Sequence, residues 1–449
     1  MAKRRPVERR NLRLRSAKSA DWAFHADDDE VLDALAGGRR AASLSEYFGA
    51  PAYAELSVLA AAAKRTKKSL RTKKSRSPRV LILPGIMGSK LGGRMPSAVG
   101  AKRQSRAAKV LWIDPLQIAA GRLTALRLPS DDAFRPMGVL LFSYARLKLK
   151  LQIDGCDVDF HSYDWRLGLD ELGEKLAARV AADGRPVILV AHSMGGLVAR
   201  MAMRVLPKRW VRRLIMLGTP NDGSFAPVQA LRGSYPFVRK MSTLDRKHSA
   251  EYLTEKVFRT FPGLYHMLPP PHRVAGMNLF DPRCWPTDVP APDAELLSQV
   301  TKVRAGLAPV DSRMTHIIGV NQETVVGLRR GGGGFEYSMD KNGDGTVPLA
   351  LARLPRLKSY FVDESHANLA NNPRVIQAIV DLVRRGRTRE LPERWRATPG
   401  VTRRIDDARL RTGGGAKIDW RRLTRAQREA VFAELDSGRL LPAAAHPLA

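Results

Sequence analysis

One segment constrains the fold more than any other, VILVAHSMGGLVARMAMRVL at residues 187–206. Five apolar residues predict a buried strand, and the apolar spacing that follows predicts a helix. Ser193 stands at the junction, where the small residues Ala191 and Gly195 allow a sharp strand-to-helix turn. Glycine is usual at the first of these positions, and Ala191 departs from it by one methyl group. Such a turn exposes a serine hydroxyl above the edge of a sheet, so we expect Ser193 to be a nucleophile.

Short apolar runs alternate with helical stretches from residue 80 onward. Strands are predicted at VLIL (80–83), VDFHSY (158–163), VILVA (187–191), LIMLG (214–218), HIIGV (316–320) and SYFV (359–362). Helical periodicity predicts helices at 169–184, which ends on a glycine, and at 373–385. Continuous apolar strands separated by helices indicate a mostly parallel sheet with helices on both faces, an α/β architecture.

A nucleophilic serine needs a general base, and that base needs an acid to orient it. Folds with this strand–serine–helix turn carry the three residues in the chain order Ser, Asp or Glu, His, which is the α/β-hydrolase order. His366 follows a predicted strand, where catalytic groups of parallel sheets gather. His316 begins an apolar strand and is better explained as a core histidine. His192 adjoins the serine, but neighbours on a sharp turn point apart, so packing explains it better.

The acid is predicted to be Asp344, within DKNGDGTVP at residues 340–348. This segment lies between the strands that end near residues 320 and 362, which satisfies the expected chain order. Three other carboxylates remain candidates: Asp311, Asp363 and Glu364.

A calcium site is the alternative for this segment. Asp340, Asn342 and Asp344 have the spacing that begins an EF-hand loop. The twelfth position of that loop requires a bidentate glutamate, but it is Leu351 here, which has no oxygen to offer a cation. We therefore expect no metal ion and no organic cofactor.

Two backbone N–H groups are predicted to bind the negative oxygen that develops during acyl transfer. Met194 opens the helix behind the serine, so its N–H points toward that charge. The second donor is Ile86, in the glycine-rich loop of VLILPGIMGSKL at residues 80–91. A phosphate-binding loop is the alternative, but the spacing matches neither G-x-G-x-x-G nor a P-loop.

Six motifs in this order resemble the lecithin:cholesterol acyltransferase-like lipases, which include phospholipid:diacylglycerol acyltransferases. The motifs are LPGIMGSKL, SYDWR (162–166), AHSMGGLVAR, LGTPNDGS (217–224), GDGTVP (343–348) and SHANL (365–369). The resemblance covers residues 80–385 and implies an α/β-hydrolase fold. It implies a triad of Ser193, Asp344 and His366, oxyanion donors Ile86 and Met194, and a structural role for Tyr163–Arg166. Trp112 resembles a lipid-facing lid aromatic of the family, and a core tryptophan is the alternative.

The chain divides into three predicted parts. The first is a basic, partly helical extension at 1–79 with a helix at 51–64. The second is the α/β-hydrolase domain at 80–390, in which the Pro- and aromatic-rich stretch 221–312 is predicted to be a mobile cap or lid. The third is an Arg-rich extension at 391–449 with a helix at 424–438.

Charge indicates which partners the chain favours. The 449 residues contain 76 Lys and Arg against 44 Asp and Glu, a net charge of +32, and nine basic residues lie in Lys64–Arg79. Such charge favours polyanions, and we expect this segment to meet an anionic membrane surface. Nucleic acid is disfavoured, because no binding motif accompanies the basic residues.

The expected activity is serine-dependent hydrolysis or transfer of an acyl group from a lipid ester. The alternatives are a carboxylesterase for soluble esters and a polyanion-binding protein on an inactive hydrolase scaffold. The charged N-terminus has no apolar signal segment, and no apolar run approaches the ~18 residues of a spanning helix. Two cysteines, Cys156 and Cys284, fit a reducing compartment. We expect a cytoplasmic protein that associates peripherally with membranes.

Overall fold

The computed structural model describes residues 21–69, 77–93, 109–130, 134–396, 402–412, 415–424 and 427–428. Its strands are β1 (Arg79–Leu83), β2 (Ser89–Gly93), β3 (Lys109–Trp112), β4 (Arg135–Val139), β5 (Asp157–Phe160), β6 (Val187–His192), β7 (Val211–Leu217), β8 (Met314–Val320), β9 (Thr324–Gly331), β10 (Gly334–Asp340), β11 (Lys358–Asp363) and β12 (Arg403–Asp406). Six of them form the central sheet, in the order β11-β8-β7-β6-β1-β5, and each neighbouring pair is parallel.

The α-helices are α1 (Asp21–His25), α2 (Asp28–Ala36), α3 (Ala41–Phe48), α4 (Ala50–Ser69), α5 (Pro115–Ala119), α6 (Leu141–Ile153), α7 (Leu169–Asp183), α8 (Met194–Val205), α9 (Ala226–Arg232), α10 (Pro236–Leu244), α11 (Ala250–Lys256), α12 (Pro262–Tyr265), α13 (Ala294–Ala305), α14 (Leu349–Ala352), α15 (Pro373–Arg385) and α16 (Asp407–Thr412). Among the described residues, none of these helices is both long and apolar enough to cross a membrane.

The strand order explains why helices cover both faces of the central sheet. The connections through α7 and α8 step along the sheet in one direction, whereas the connection from β1 through α6 to β5 steps the other way. Because such crossovers are right-handed, α7 and α8 lie on one face and α6 on the other. Helix α15 packs against α6. The predicted parallel sheet with helices on both faces is confirmed.

This strand order also locates a crevice. The chain leaves β1 and β6 toward opposite faces, so a gap opens between their carboxyl ends, where open α/β sheets bind ligands. The loop at residues 84–88 follows β1, and Ser193 follows β6. The two segments are close, because a Cβ added to Gly85 would lie 2.9 Å from the Ser193 Cβ.

The N-terminal helices share the core of the sheet. Buried side chains of α2 and α3 belong to the same apolar cluster as the central strands, and α4 packs on α6. Asp28 of α2 forms an ion pair of 2.9 Å with Lys90, which is buried in β2. A buried ammonium needs such a partner. The N-terminal helices therefore help to hold the strand that follows the 84–88 loop.

The predicted cap, 221–312, is described throughout and contains helices α9 to α13 but no strand. A three-stranded antiparallel sheet, in the order β12-β10-β9, comes from outside that range. Its strand β12 comes from the predicted C-terminal extension and pairs with β10. The sequence patterns did not predict this pairing. The limits of the three parts stay predictions.

Buried charge joins the cap to the C-terminal extension. Arg232 of α9 donates from Nε to Asp407 Oδ2 at 2.7 Å, and both side chains are fully buried. The other oxygen of Asp407 accepts from Ser234 Oγ at 2.7 Å and from Tyr337 Oη at 2.6 Å. We call Arg232, Ser234, Tyr337 and Asp407 the clamp. It favours a fixed cap rather than the predicted mobile one.

Most predicted elements agree with the observed ones. Helix 373–385 has the predicted bounds, and the helix predicted at 51–64 is longer, running from Ala50 to Ser69. The strand predicted at 158–163 was too long, because β5 ends at Phe160. The helix predicted at 424–438 lies almost entirely outside the described residues. Cys156 is buried and Cys284 partly buried, and neither is bonded to the other.

The basic segment needs one correction. Lys64, Arg65, Lys67 and Lys68 are exposed at the end of α4, as expected of a surface segment, and residues 70–76 lie outside the described part. Arg79, however, is buried and forms ion pairs with Asp157, Asp159 and Asp183. It therefore cannot meet a membrane. Arg79 also begins β1, so it lies at the amino ends of the central strands, whereas Ser193 lies at their carboxyl ends.

Candidate active site

Ser193 sits on a strained turn between β6 and α8. Its backbone has φ 52° and ψ −126°, a conformation that residues other than glycine rarely adopt. The helix behind it packs tightly. A Cβ added to Gly195 would lie 2.5 Å from the Pro84 carbonyl oxygen, and one added to Gly196 would lie 2.0 Å from Thr219 Oγ1. Small residues are therefore required where the motif has them.

The structure brings together the three residues predicted as a triad. The distance from Ser193 Oγ to His366 Nε2 is 2.9 Å, and that from His366 Nδ1 to Asp344 Oδ2 is 2.7 Å. The other oxygen of Asp344 accepts the backbone N–H groups of Thr346 and Val347. These two bonds orient the carboxylate, so that its remaining oxygen faces the imidazole.

The backbone also positions the histidine. Its own N–H donates to the Asp344 carbonyl oxygen at 2.7 Å, which joins the loops that follow β10 and β11. Gly218 leaves room for the pair, because a Cβ there would lie 3.0 Å from both Asp344 Oδ2 and His366 Nδ1. The imidazole thus lies between a fixed carboxylate and the serine hydroxyl.

The other carboxylates considered as the acid lie in separate contacts. Asp311 pairs with Arg313, and Asp363 accepts from Asn321 and Gln322. Glu364 accepts from Ser365, Asn368 and Asn372 instead of reaching the imidazole. Asp344 is therefore the carboxylate that bonds to His366.

The segment considered for calcium is held by internal hydrogen bonds. Asp340 accepts from the backbone and side-chain nitrogens of Asn342, and Asp344 faces His366. Among the described residues, no group of three or more His, Cys, Asp or Glu side chains converges as a metal site would require.

His316 and His192 are both buried. His316 Nε2 accepts the Thr219 backbone N–H at 3.0 Å, and burial lowers its pKa to about 3. His192 Nδ1 contacts Tyr144 Oη, and His192 Nε2 contacts the carbonyl oxygen of His366. Neither histidine bonds to Ser193 Oγ.

Five hydrogen bonds hold the loop at residues 84–88 and the first residue of β2. Pro84 O accepts from Tyr163 Oη, Gly85 N–H donates to Tyr144 Oη, Met87 O accepts from Trp112 Nε1, Gly88 O accepts from Leu140 N–H, and Ser89 O accepts from Trp165 Nε1. The Ile86 N–H donates to no residue that the structure describes. A backbone N–H that is held in place by its loop and has no acceptor among the described residues is what an oxyanion site requires.

Trp112 is part of this frame. It is 1% exposed, its Nε1 donates to Met87 O at 2.8 Å, and its ring meets Trp165 edge to face. The resemblance to a lid aromatic was therefore wrong, and the core alternative is correct. The structural role inferred for Tyr163–Arg166 agrees with the contacts of Tyr163 and Trp165 and with the buried Asp164–Arg166 ion pair of 2.7 Å.

The parallel sheet and the strained serine between strand and helix, with a histidine and a carboxylate on later loops, define the α/β-hydrolase fold. The model of the lecithin:cholesterol acyltransferase family matches residues 157–386, just over half of the chain. The chain therefore belongs to that family.

Individual relatives match less of the chain. Phosphatidylcholine-sterol acyltransferase of Rattus norvegicus is 33% identical over 122 residues, which is 24% of this chain and 27% of the rat protein. The chain of a solved Tle4–Tli4 complex is 12% identical, with 68% of this chain and 97% of that chain covered and a TM-score of 0.42. The propeptide form of Bacillus licheniformis lipase BlEst2 is 16% identical, with 65% and 46% covered and a TM-score of 0.30.

Sequence patterns missed two features near the site. Tyr144 lies on α6, a helix whose sequence gave no sign of contact with the loop after β1. The loop after β1 is also held by Trp112 of β3, a strand that the sequence patterns did not predict. Both depend on tertiary contacts between residues at least 25 positions apart in the sequence, so local spacing could not have found them.

Proposed function

We propose that the chain is a serine-dependent lipid acyl hydrolase or acyltransferase that works through an acyl-enzyme on Ser193. The hydrogen-bond series from Ser193 Oγ through His366 to Asp344 carries this proposal. Membership of the lecithin:cholesterol acyltransferase family supports a lipid ester as the substrate class. The rat relative, a phosphatidylcholine-sterol acyltransferase by name, supports a phospholipid as the acyl donor.

In the first half-reaction, Ser193 Oγ attacks the ester carbonyl carbon while His366 Nε2 takes the hydroxyl proton. Asp344 holds the imidazole tautomer and stabilises the imidazolium that forms. The N–H groups of Ile86 and Met194 bind the carbonyl oxygen as it becomes negative. The bond to the leaving alcohol then breaks, that alcohol takes the proton from His366, and the acyl group stays on Ser193.

In the second half-reaction, water or another alcohol attacks the acyl carbon and gives its proton to His366 Nε2. The bond to Ser193 Oγ breaks, and the serine regains a proton from the imidazolium. Water yields a free fatty acid, and an alcohol yields a new ester. The outcome depends on which acceptor occupies the site, since the chain's own steps are identical.

A fluorophosphonate probe tests the nucleophile directly. The wild-type chain should incorporate one equivalent, and Ser193→Ala should incorporate none. Ser242→Ala is the matched control, because Ser242 is a buried serine of the cap whose Oγ donates to Arg239 O. Labelling that persists in Ser193→Ala, or a wild-type chain inert to both probe and esters, would overturn the proposal.

The length of the acyl chain separates a lipid enzyme from a carboxylesterase for soluble esters. A series of p-nitrophenyl esters should show kcat/KM rising toward long chains. A preference for acetate or butyrate would favour the soluble-ester alternative.

We also propose that the substrate surface is anionic and that basic residues of 64–76 tether the chain to it. Anionic leaflets attract Lys and Arg at about 1 kcal/mol per residue near the surface. Four of these residues, Lys64, Arg65, Lys67 and Lys68, are exposed on α4. The segment would raise the time spent at the surface without orienting the site toward it.

A further inference from the structure

A second series of hydrogen bonds connects the segments that follow β1, β6 and β11, next to the predicted triad. The Gly85 N–H donates to Tyr144 Oη at 2.9 Å, Tyr144 Oη lies 2.9 Å from His192 Nδ1, and His192 Nε2 lies 2.9 Å from the carbonyl oxygen of His366. Tyr144 is 3% exposed and His192 is 7% exposed. None of the reaction steps above uses either side chain.

The proton positions in this series follow from the chemistry of its ends. The carbonyl oxygen of His366 can only accept, so His192 Nε2 must carry a proton. Burial lowers the pKa of His192 to about 3, which keeps the ring neutral, so Nδ1 accepts. The Tyr144 hydroxyl therefore donates to Nδ1 and accepts from Gly85. The donors and acceptors of these three bonds are therefore compatible along the whole series.

The series touches each loop that carries a reacting group. Gly85 precedes Ile86, the proposed oxyanion donor, and His192 precedes the nucleophile. The far end is the backbone of the base itself. These three segments follow three different strands, β1, β6 and β11, and the series links all three to one another.

We propose that Tyr144 and His192 are positioning residues that keep the oxyanion loop and the base loop in register across the nucleophile turn. This inference rests on the proposed function. Neither side chain needs to touch the ester. They act by fixing where the Ile86 N–H and the His366 imidazole stand relative to Ser193 Oγ, and catalysis is sensitive to such placement at the 1 Å scale.

Removal of the Tyr144 hydroxyl should therefore slow the chemical step. Loss of a whole oxyanion donor costs about 10²–10³ in kcat. A misplaced donor retains part of its effect, so Tyr144→Phe should lower kcat by roughly tenfold to 100-fold. KM should change little, because the missing hydroxyl contacts protein groups only.

The test compares Tyr144→Phe, His192→Phe, the double variant and Tyr265→Phe. Tyr265 is a matched control in the cap: it is also buried, its Oη accepts the Asp293 N–H at 3.1 Å, and it donates to the Arg259 carbonyl oxygen at 2.7 Å. For each variant, fluorophosphonate labelling gives both the fraction of active sites and the rate constant per site. kcat and KM come from a short soluble ester.

Tyr144→Phe should label to full stoichiometry but roughly tenfold or more slowly, whereas Tyr265→Phe should label at the wild-type rate. The double variant should cost little more than either single one, since both break one series. His192→Gln, which can both accept and donate, should recover part of the rate lost in His192→Phe. Equal effects in Tyr144→Phe and Tyr265→Phe, or a loss confined to stoichiometry, would overturn the inference. A wild-type chain that never labels would overturn the proposed function instead.

Discussion

Two buried polar networks in this chain resemble each other in composition and differ in what is left unsatisfied. The clamp pairs Asp407 with Arg232, both fully buried, and each oxygen of Asp407 is bonded. The predicted triad joins Asp344 to His366 and His366 to Ser193 Oγ, and beside it the Ile86 N–H donates to no residue that the structure describes. A network complete in the resting protein stabilises the fold. A network that is complete only when an ester arrives can do chemistry.

The largest expected effect is the loss of turnover when a residue of the predicted triad is replaced. Ser193→Ala, His366→Ala and Asp344→Asn should each lower kcat on a soluble ester by roughly 10³ or more. Their thermal unfolding temperatures should stay close to that of the wild type. The combined Ser193→Ala/His366→Ala variant should cost little more than either one, since the residues act as a unit.

Any of these variants that keeps more than about a tenth of wild-type turnover would remove its residue from the triad. A variant that loses activity and also unfolds would instead place that residue with the clamp. Circular dichroism melts on the same samples distinguish these results.

The clamp should show the reverse pattern. Asp407→Ala leaves Asp288, which is partly exposed, as the remaining ion-pair partner of the buried Arg232. Breaking a buried ion pair costs about 3–5 kcal/mol. Urea denaturation should show that loss in the free energy of unfolding. Turnover per folded molecule should change little, because the Asp407 carboxylate bonds to Arg232, Ser234, Phe335 and Tyr337 and to none of the three predicted triad residues.

Limited proteolysis gives the same prediction a structural readout. Cleavage within 221–312 should be slow in the wild type and fast in Asp407→Ala. Asp281→Asn removes the charge that pairs with the exposed Arg283; it is the control, and its cap should be cleaved like that of the wild type. Rapid cleavage of the wild-type cap would support the mobile lid predicted from sequence.

The contrast between these networks also explains what sequence patterns could predict. The central strands were predictable because each is a short, continuous run of apolar residues. Helices α8 and α15 were predictable because their apolar residues recur at helical spacing within one segment. The contact between Ser193, His366 and Asp344 was predictable for two reasons. The strained turn at Ser193 demands small neighbours, and the loops that follow parallel strands gather at the carboxyl end of the sheet. In both cases a short segment carries the information.

The clamp and the loop frame had no such local signal. Asp407 lies 175 residues from Arg232, and Trp112 lies 25 residues from the Met87 carbonyl that it holds. An aspartate in an Arg-rich extension looks like one more surface charge until its partner is known. Arg79 was misjudged for the same reason, because its three carboxylate partners come from distant β5 and α7.

Mild acid should lower the stability of the protein through a buried histidine of the central sheet. His316, behind the triad on β8, has a pKa of about 3 when folded, whereas its ordinary value is 6.5. Between these values the unfolded chain binds the extra proton, so lowering the pH favours unfolding. At pH 5 this one residue should cost about 2 kcal/mol of stability relative to pH 7.

Urea melts of the wild type and His316→Gln at pH 7 and pH 5 measure this effect. The variant should lose about 2 kcal/mol less than the wild type over that range. His272→Gln, at an exposed position of the cap, should keep the wild-type slope. Parallel slopes for the wild type and His316→Gln would show that the buried imidazole is not the acid-sensitive group.

The smallest expected effect per residue is on membrane binding by the basic residues of α4, which belong to neither network. Replacing Lys64, Arg65, Lys67 and Lys68 with Gln should weaken binding to vesicles that contain an anionic phospholipid, by about 1 kcal/mol or less for each charge. The loss should shrink at high salt, because screening already weakens the wild-type attraction. Turnover of a soluble ester and the unfolding temperature should both stay unchanged, which would separate surface binding from chemistry and from folding. The matched control replaces Arg387, Arg389, Arg394 and Arg396, which are also exposed and carry the same total charge. If both four-residue variants lose vesicle binding equally, net charge drives the association and the 64–76 segment is not a dedicated tether.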